Sequence, residues 1–374
     1  MKRCLKLTFI FNLIIKLAFA QSIDELNSFK KNIFSFEDSS NIVKYIPKSK
    51  FNICFSGEYH VSWQNSFFEE KLIERLYLSN NLRDVILEFS LSFKPYINAY
   101  VLRNKKDSLN LLDKEYKLTK RFINFLDWVK DFNIGKSKTE KITLHPIDAE
   151  PNPKLTFNYI KEVIKTINDS IKLKSQISNL IESSDSKNGL QVTKNLIKTI
   201  NLNYNFLISI IEKNSLEKIN TLLRGVVLSF EYQIEKKLFR VVDENTLFLD
   251  SIASEKREEF MFENFISLYD SSKFYFGQFG KAHCDLNENV KDDYNSNFKP
   301  LTSRLNTSDY FKNKVCVLDI CYAFPSCLNQ ENHRNLKKVY KELNRGVYGL
   351  PLNIDEEIDL SNYPKLVNYI IFLK

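Results

Sequence analysis

Short apolar runs of strand length recur along this chain and alternate with stripes of helical period. Lys50 to Ser56 (K-F-N-I-C-F-S) runs up to Gly57, and Asp84 to Phe89 (D-V-I-L-E-F) follows. Lys141 to Ile147 closes at Asp148, Lys273 to Phe279 ends at Gly280, and Lys314 to Cys321 and Leu366 to Leu373 complete the set. Between them, Trp63 to Ser79, Thr119 to Lys130 and Ser254 to Tyr269 carry apolar residues three and four apart. Strand-then-helix alternation predicts an α/β fold with a central, largely parallel sheet flanked by helices. Residues 154–245 break the alternation. Ile160, Ile164, Ile167 and Ile171 open a long helical pattern, and further helical patterns cover about 190–212 and 216–240. This stretch reads as a helical insertion within one domain spanning 21–374.

Residues 1–20 read as an export signal. Met1-Lys2-Arg3 is a basic start, Leu7 to Ile15 a short apolar run, and Ala18-Phe19-Ala20 a small-x-small cleavage site. The expected location is therefore periplasmic or extracellular. No other apolar stretch approaches the 18 or so residues of a membrane span, so none is expected in the mature chain. Lys2, Arg3, Lys6 and Lys16 account for four of the 54 basic residues. Beyond position 20, 50 bases face 46 acids, a balance that does not predict nucleic-acid binding. Export permits disulfides, but five cysteines past the signal are an odd number and form no C-x-x-C pair. Cys54 and Cys316 lie in apolar runs and read as buried thiols.

Two of the four histidines share a local context. Gly57-Glu58-Tyr59-His60 and Gly280-Lys281-Ala282-His283 are both G-x-x-H, each directly after a predicted strand. Chance placement of these residue types gives only roughly 0.09 such matches. The expectation is that glycine turns the chain at the sheet edge. The histidine then projects over the carboxyl ends of the strands, where open α/β sheets keep their sites. Glu88 ends a buried run, and a carboxylate there needs a partner. Glu58 lies inside the first motif, Arg257 on a helical face with Met261, Asn264 and Leu268, and Asp148 at a strand end. His145 reads as structural and His333 as solvated.

These residues resemble the superfamily that joins erythromycin esterases, Tiki-type proteases, TraB-like proteins and ChaN-like haem-uptake proteins. Its signature is two G-x-x-H motifs, a strand-end glutamate and an arginine, matched here by His60, His283, Glu88 and Arg257. The erythromycin-esterase branch is the most similar. Its blocks correspond to Gly57-Glu58-Tyr59-His60, Val85 to Glu88 with Asn98-Ala99-Tyr100-Val101, Pro146-Ile147-Asp148, Arg257-Glu258-x-x-Met261-x-x-Asn264, and Ala282-His283.

The resemblance implies a hydrolase of small-molecule esters or lactones, working without a cofactor. His60 or His283 would be the general base, held in its tautomer by Glu58 or Glu88. Arg257 would stabilise an oxyanion, and Tyr59, Asp148 and Asn264 would bind substrate. No G-x-S-x-G elbow supports a serine nucleophile. Two alternatives stay open. A Tiki-like metallopeptidase would hold a divalent transition metal through His60, His283 and Glu88. A haem-binding uptake protein would ligate iron through His60 or Tyr59.

Overall fold

The computed structural model describes residues 34–35, 44–58, 64–168, 171–184, 188–239, 252–288, 290–291, 297–321, 347–351 and 369–373. The export signal, Tyr59, His60, Cys327 and His333 lie outside them. No helix among the described residues is long and apolar enough to cross a membrane.

The strands are β1 (Phe34–Ser35), β2 (Ile53–Glu58), β3 (Asp84–Ser90), β4 (Thr143–Asp148), β5 (Tyr275–Gly280), β6 (Val290–Lys291), β7 (Asn297–Phe298), β8 (Val315–Cys321), β9 (Val347–Pro351) and β10 (Tyr369–Leu373). One sheet runs β1-β9-β10-β8-β2-β5-β3-β4, and β6 pairs with β7 in a separate ribbon. From β10 to β4 every neighbouring pair is parallel. Only β9 and β1 are antiparallel to their neighbours. The sheet is thus largely parallel, as the alternation predicts.

Both faces of the sheet are covered, which is why its strands read as continuous apolar runs. The helices are α1 (Gln64–Asn80), α2 (Lys94–Arg103), α3 (Lys106–Tyr116), α4 (Lys120–Phe132), α5 (Lys154–Ile164), α6 (Lys172–Glu182), α7 (Gly189–Leu202), α8 (Tyr204–Ile208), α9 (Lys213–Phe239), α10 (Ile252–Leu268) and α11 (Leu301–Thr307). Phe68, Leu72, Ile73 and Leu76 of α1, with Phe125, Leu126 and Val129 of α4, pack on Cys54, Val85, Leu87, Phe276 and Leu318. Met261 and Phe265 of α10, with Leu301 and Leu305 of α11, pack on Ile53, Phe55, Ile86, Tyr275 and Val317. Successive strand residues therefore serve opposite layers. Helices α5 to α9 follow β4 and hold a core of their own, built on Ile160, Ile177, Leu196, Ile200 and Leu223. Leu155 of α5 joins the sheet core.

Strand β4 is the sheet edge, and three asparagines occupy its free backbone groups. Asn133 donates to the Ile142 carbonyl at 3.0 Å and accepts its N–H at 2.8 Å. Asn98 does the same for Leu144, at 2.7 and 3.1 Å. Pro146 has no N–H to satisfy, and Asn264 donates to the Ile147 carbonyl at 2.9 Å. Asn264, read from sequence as substrate-binding, is thus engaged by the sheet edge. On the same strand His145 bonds Asp84 at 2.7 Å, in keeping with the structural role read for it. Cys54, Cys284 and Cys316 are buried.

Candidate active site

Strands β2, β5, β3 and β4 end side by side, so Glu58, the turn after Gly280, Glu88 and Asp148 share one rim. The β3–β4 register shifts between Leu87 and Ser90. Such an irregularity re-aims side chains, and Glu88 falls within it.

The glycines act differently from the expectation. Gly57 lies inside β2 and turns nothing. A Cβ there would meet the Cys284 Cβ at 3.1 Å and the Lys281 Cα at 3.4 Å, so its bareness admits the second motif's backbone. Gly280 has φ −52, an ordinary value for any residue. After it, Lys281–His283 forms a 3-10 turn that buries His283.

Glu88 is the hub. Its Oε1 is 2.9 Å from Arg257 Nη2 and 3.0 Å from His283 Nε2. Its Oε2 accepts the Gly280 N–H at 2.7 Å. Arg257 donates from Nε to Asp148 Oδ1 at 2.9 Å, and its Nη2 also contacts Asp148. His283 Nδ1 bonds Glu258, whose other oxygen accepts the Leu301 N–H at 2.7 Å. Glu58 lies apart from this hub in its bonding: it pairs with Arg121 at 3.2 Å and accepts from Gln278 at 2.7 Å. The structure thus gathers Glu88, Arg257, His283 and Asp148.

Burial alone would make the His283 ring less basic, but the carboxylates of Glu258 and Glu88 hold it well above its ordinary 6.5. A carboxylate faces each ring nitrogen, an arrangement that favours the doubly protonated ring. A ring held in that state would serve as an acid, where the sequence reading had a general base. As arranged, both ring nitrogens of His283 meet carboxylates, those of Glu88 and Glu258. Among the described residues, no cluster of three or more His, Cys, Asp or Glu is disposed to hold a metal ion.

A cavity of about 580 Å³ opens above the hub. Glu88, Asp148 and Arg257 form its polar side, Phe89, Phe93, Tyr116 and Phe122 an aromatic wall, and Ser229, Tyr232 and Gln233 of α9 its far side. The Arg257 guanidinium lies 5.2 Å from the Tyr232 ring centre. Such a lining suits an apolar ligand with one polar group. Glu150 underpins the aromatic wall. It is buried and accepts from Ser90 at 2.6 Å, from Ser92, and from Tyr116 at 2.5 Å. Burial pushes its carboxyl up, against the pull of those donors.

The sequence reading missed Glu150 and Glu69, and it named Glu258 in a family block without giving it a role; each is an acid nine-tenths buried or more. An acid inside an apolar helical stripe was the available signal for Glu69 and Glu258.

The chain matches a mutant erythromycin esterase in its open conformation with a TM-score of 0.65, over 91% of this chain and 94% of that one, at 11% identity. It shares the fold of erythromycin esterase. A Bacillus cereus protein with this fold aligns with a TM-score of 0.61 at 13% identity, over 94% of this chain and 97% of that one. A succinoglycan biosynthesis protein gives 0.57 at 12% identity, over 80% and 75%. By sequence, no family model and no curated protein matches. At these identities the fold is the shared property, and the erythromycin-esterase architecture positions the hub at its strand ends.

Proposed function

We propose that the chain is an exported hydrolase of a small ester or lactone, acting by water activation without a bound cofactor. The observation that carries this reading is the Glu88 hub. One carboxylate at a cavity floor is held at once by a guanidinium, the His283 ring and a backbone N–H. Fixed dipoles and charges of this kind, set before substrate arrives, are what stabilise charge developing in a transition state. In this scheme Arg257, on the polar side of the cavity, stabilises the developing oxyanion, and His283 positions Glu88. Arg257 fixes Glu88 and Asp148 and lines the cavity. The base role belongs to His60 of the first motif, beside Glu58. The aromatic wall receives the apolar body of the substrate.

The test is hydrolysis of a panel of lactones and aryl esters by residues 21–374, wild type beside Glu88→Gln. Removal of a preorganised charge of this kind lowers rates by about 100-fold or more. No turnover of any ester, or equal rates in the two proteins, would refute the reading. Elemental analysis of the same samples is expected to find no stoichiometric transition metal.

A further inference from the structure

Beneath the Phe89–Phe122 stack, whose ring centres are 4.1 Å apart, lies a second, smaller chamber of about 70 Å³. Three glutamates from three elements line it: Glu58 at the end of β2, Glu88 in β3 and Glu69 in α1. Arg121 of α4 and Gln278 of β5 complete its polar wall. Glu88, Phe89 and Phe122 also line the large cavity, so the two spaces share a partition. The volume exceeds the roughly 10–15 Å³ that one water needs.

Glu69 is the unusual member. It is 8% exposed, and among the described residues its carboxyl makes no hydrogen bond. A buried polar group without a partner costs about 1–3 kcal/mol unless something fills the space beside it. Glu58 is tied to Arg121 and Gln278, and Glu88 to Arg257, His283 and Gly280.

We propose that the chamber is the water store of the hydrolytic centre, and that Glu69 is a positioning residue in it, holding a water between itself, Glu58 and Glu88. The assignment rests on the hydrolase reading for its purpose, but not for its geometry. A water has two protons to donate and accepts in return. Glu58, paired with Arg121, and Glu88, paired with Arg257, are placed to take its two protons, and the third carboxyl must then offer one. Burial and the charge of Glu58 both push the Glu69 carboxyl well above its ordinary 4.5, against the pull of Arg121, and Glu70 adds slightly to the upward push. Of the three, Glu69 is the one these effects favour as the neutral acid. The water it steadies lies behind the aromatic partition, one exchange away from the substrate cavity. No bond forms or breaks at Glu69 itself.

The experiment is infrared difference spectroscopy, wild type minus Glu69→Gln, through a pH titration in H2O and D2O, with ester hydrolysis followed over the same range. The amide is isosteric with the neutral acid and keeps a donor. The expected result is a protonated-carboxyl band at neutral pH that shifts in D2O and is absent from the variant. Any band from Glu150, whose carboxyl burial also pushes up, is common to both proteins and cancels in the difference. The pH profile of hydrolysis by the variant should lack one alkaline limb of the wild-type profile, because no third charge can then form in the chamber. If Glu69→Gln fails to fold, Glu58→Gln serves: the band should disappear at a lower pH than in the wild type. Absence of the band, or superimposable pH profiles, overturns the proposal. A wild-type protein that shows the band but hydrolyses no ester overturns the hydrolase reading and supports the proton on Glu69.

Discussion

His283 illustrates how two neighbours reverse the effect of burial on one side chain. Its folded ring is more basic than the unfolded one, because two carboxylates outweigh desolvation. Its contribution to stability is therefore complete below about 6.5 and declines as pH rises through the raised value. Urea unfolding across pH should show wild type losing stability on the alkaline side, relative to His283→Gln. Parallel curves would mean that the ring is neutral. Arg257 makes a sharper case. It is 17% exposed and bridges Glu88 and Asp148, each 9% exposed. Arg257→Gln strands two buried charges, at a cost of about 3–5 kcal/mol. By contrast, Arg224 pairs with Glu263 on the surface, 55% and 47% exposed, and Arg224→Gln should cost less than about 1 kcal/mol. Equal losses of stability in the two variants would refute the buried-network account. At this scale Glu88 and Asp148 were legible because each closes an apolar strand run, His283 because it repeats the G-x-x-H context, and Arg257 through the family resemblance. Glu258 was not, although it adjoins Arg257. The face drawn through Arg257, Met261 and Asn264 excluded it, and only the packing of α11 shows what its carboxylate meets.

Among elements, strand β5 has no room for a side chain at Gly277. At Gly277 a Cβ would sit 2.5 Å from the Phe55 ring, on the neighbouring strand β2. Gly277→Ala should therefore cost about 1–3 kcal/mol by overpacking, read as a lower calorimetric Tm. An unchanged Tm would show that Phe55 moves aside freely. The strands were readable because both faces are buried, so each is an apolar run closed by glycine or acid. Strand β2 runs two residues past the expected end, through Gly57 to Glu58, because that glycine serves close approach and not a turn. Helices α2 and α3 escaped the reading. Pro95 suggests a break, yet it occupies the first turn of α2, where a missing N–H costs nothing. The joint beyond is a left-handed Asn104, φ 54, which a single sequence does not announce.

For the whole molecule, the architecture followed from alternation, whereas the cavity did not, since it needs β3, β4, α9, α10 and the α3–α4 connection to converge. Ser229, Tyr232 and Gln233 bring α9 over the hub. Ligand binding should thus slow hydrogen exchange of α9 amides around 229–233, with α6 unaffected. Uniform exchange with and without a bound ester would place the ligand elsewhere. The asparagines along β4 carry a different consequence. An open strand edge is a template on which a second chain can grow. Here Asn98, Asn133, Pro146 and Asn264 leave β4 little to offer an intruding strand. The side chains that seal this flank come from α2, the C-terminal cap of α4 and α10. Resistance to sheet-to-sheet polymerisation on that side is therefore written into three amides, and spontaneous deamidation of any one, turning a donor into a charge, would begin to erase it.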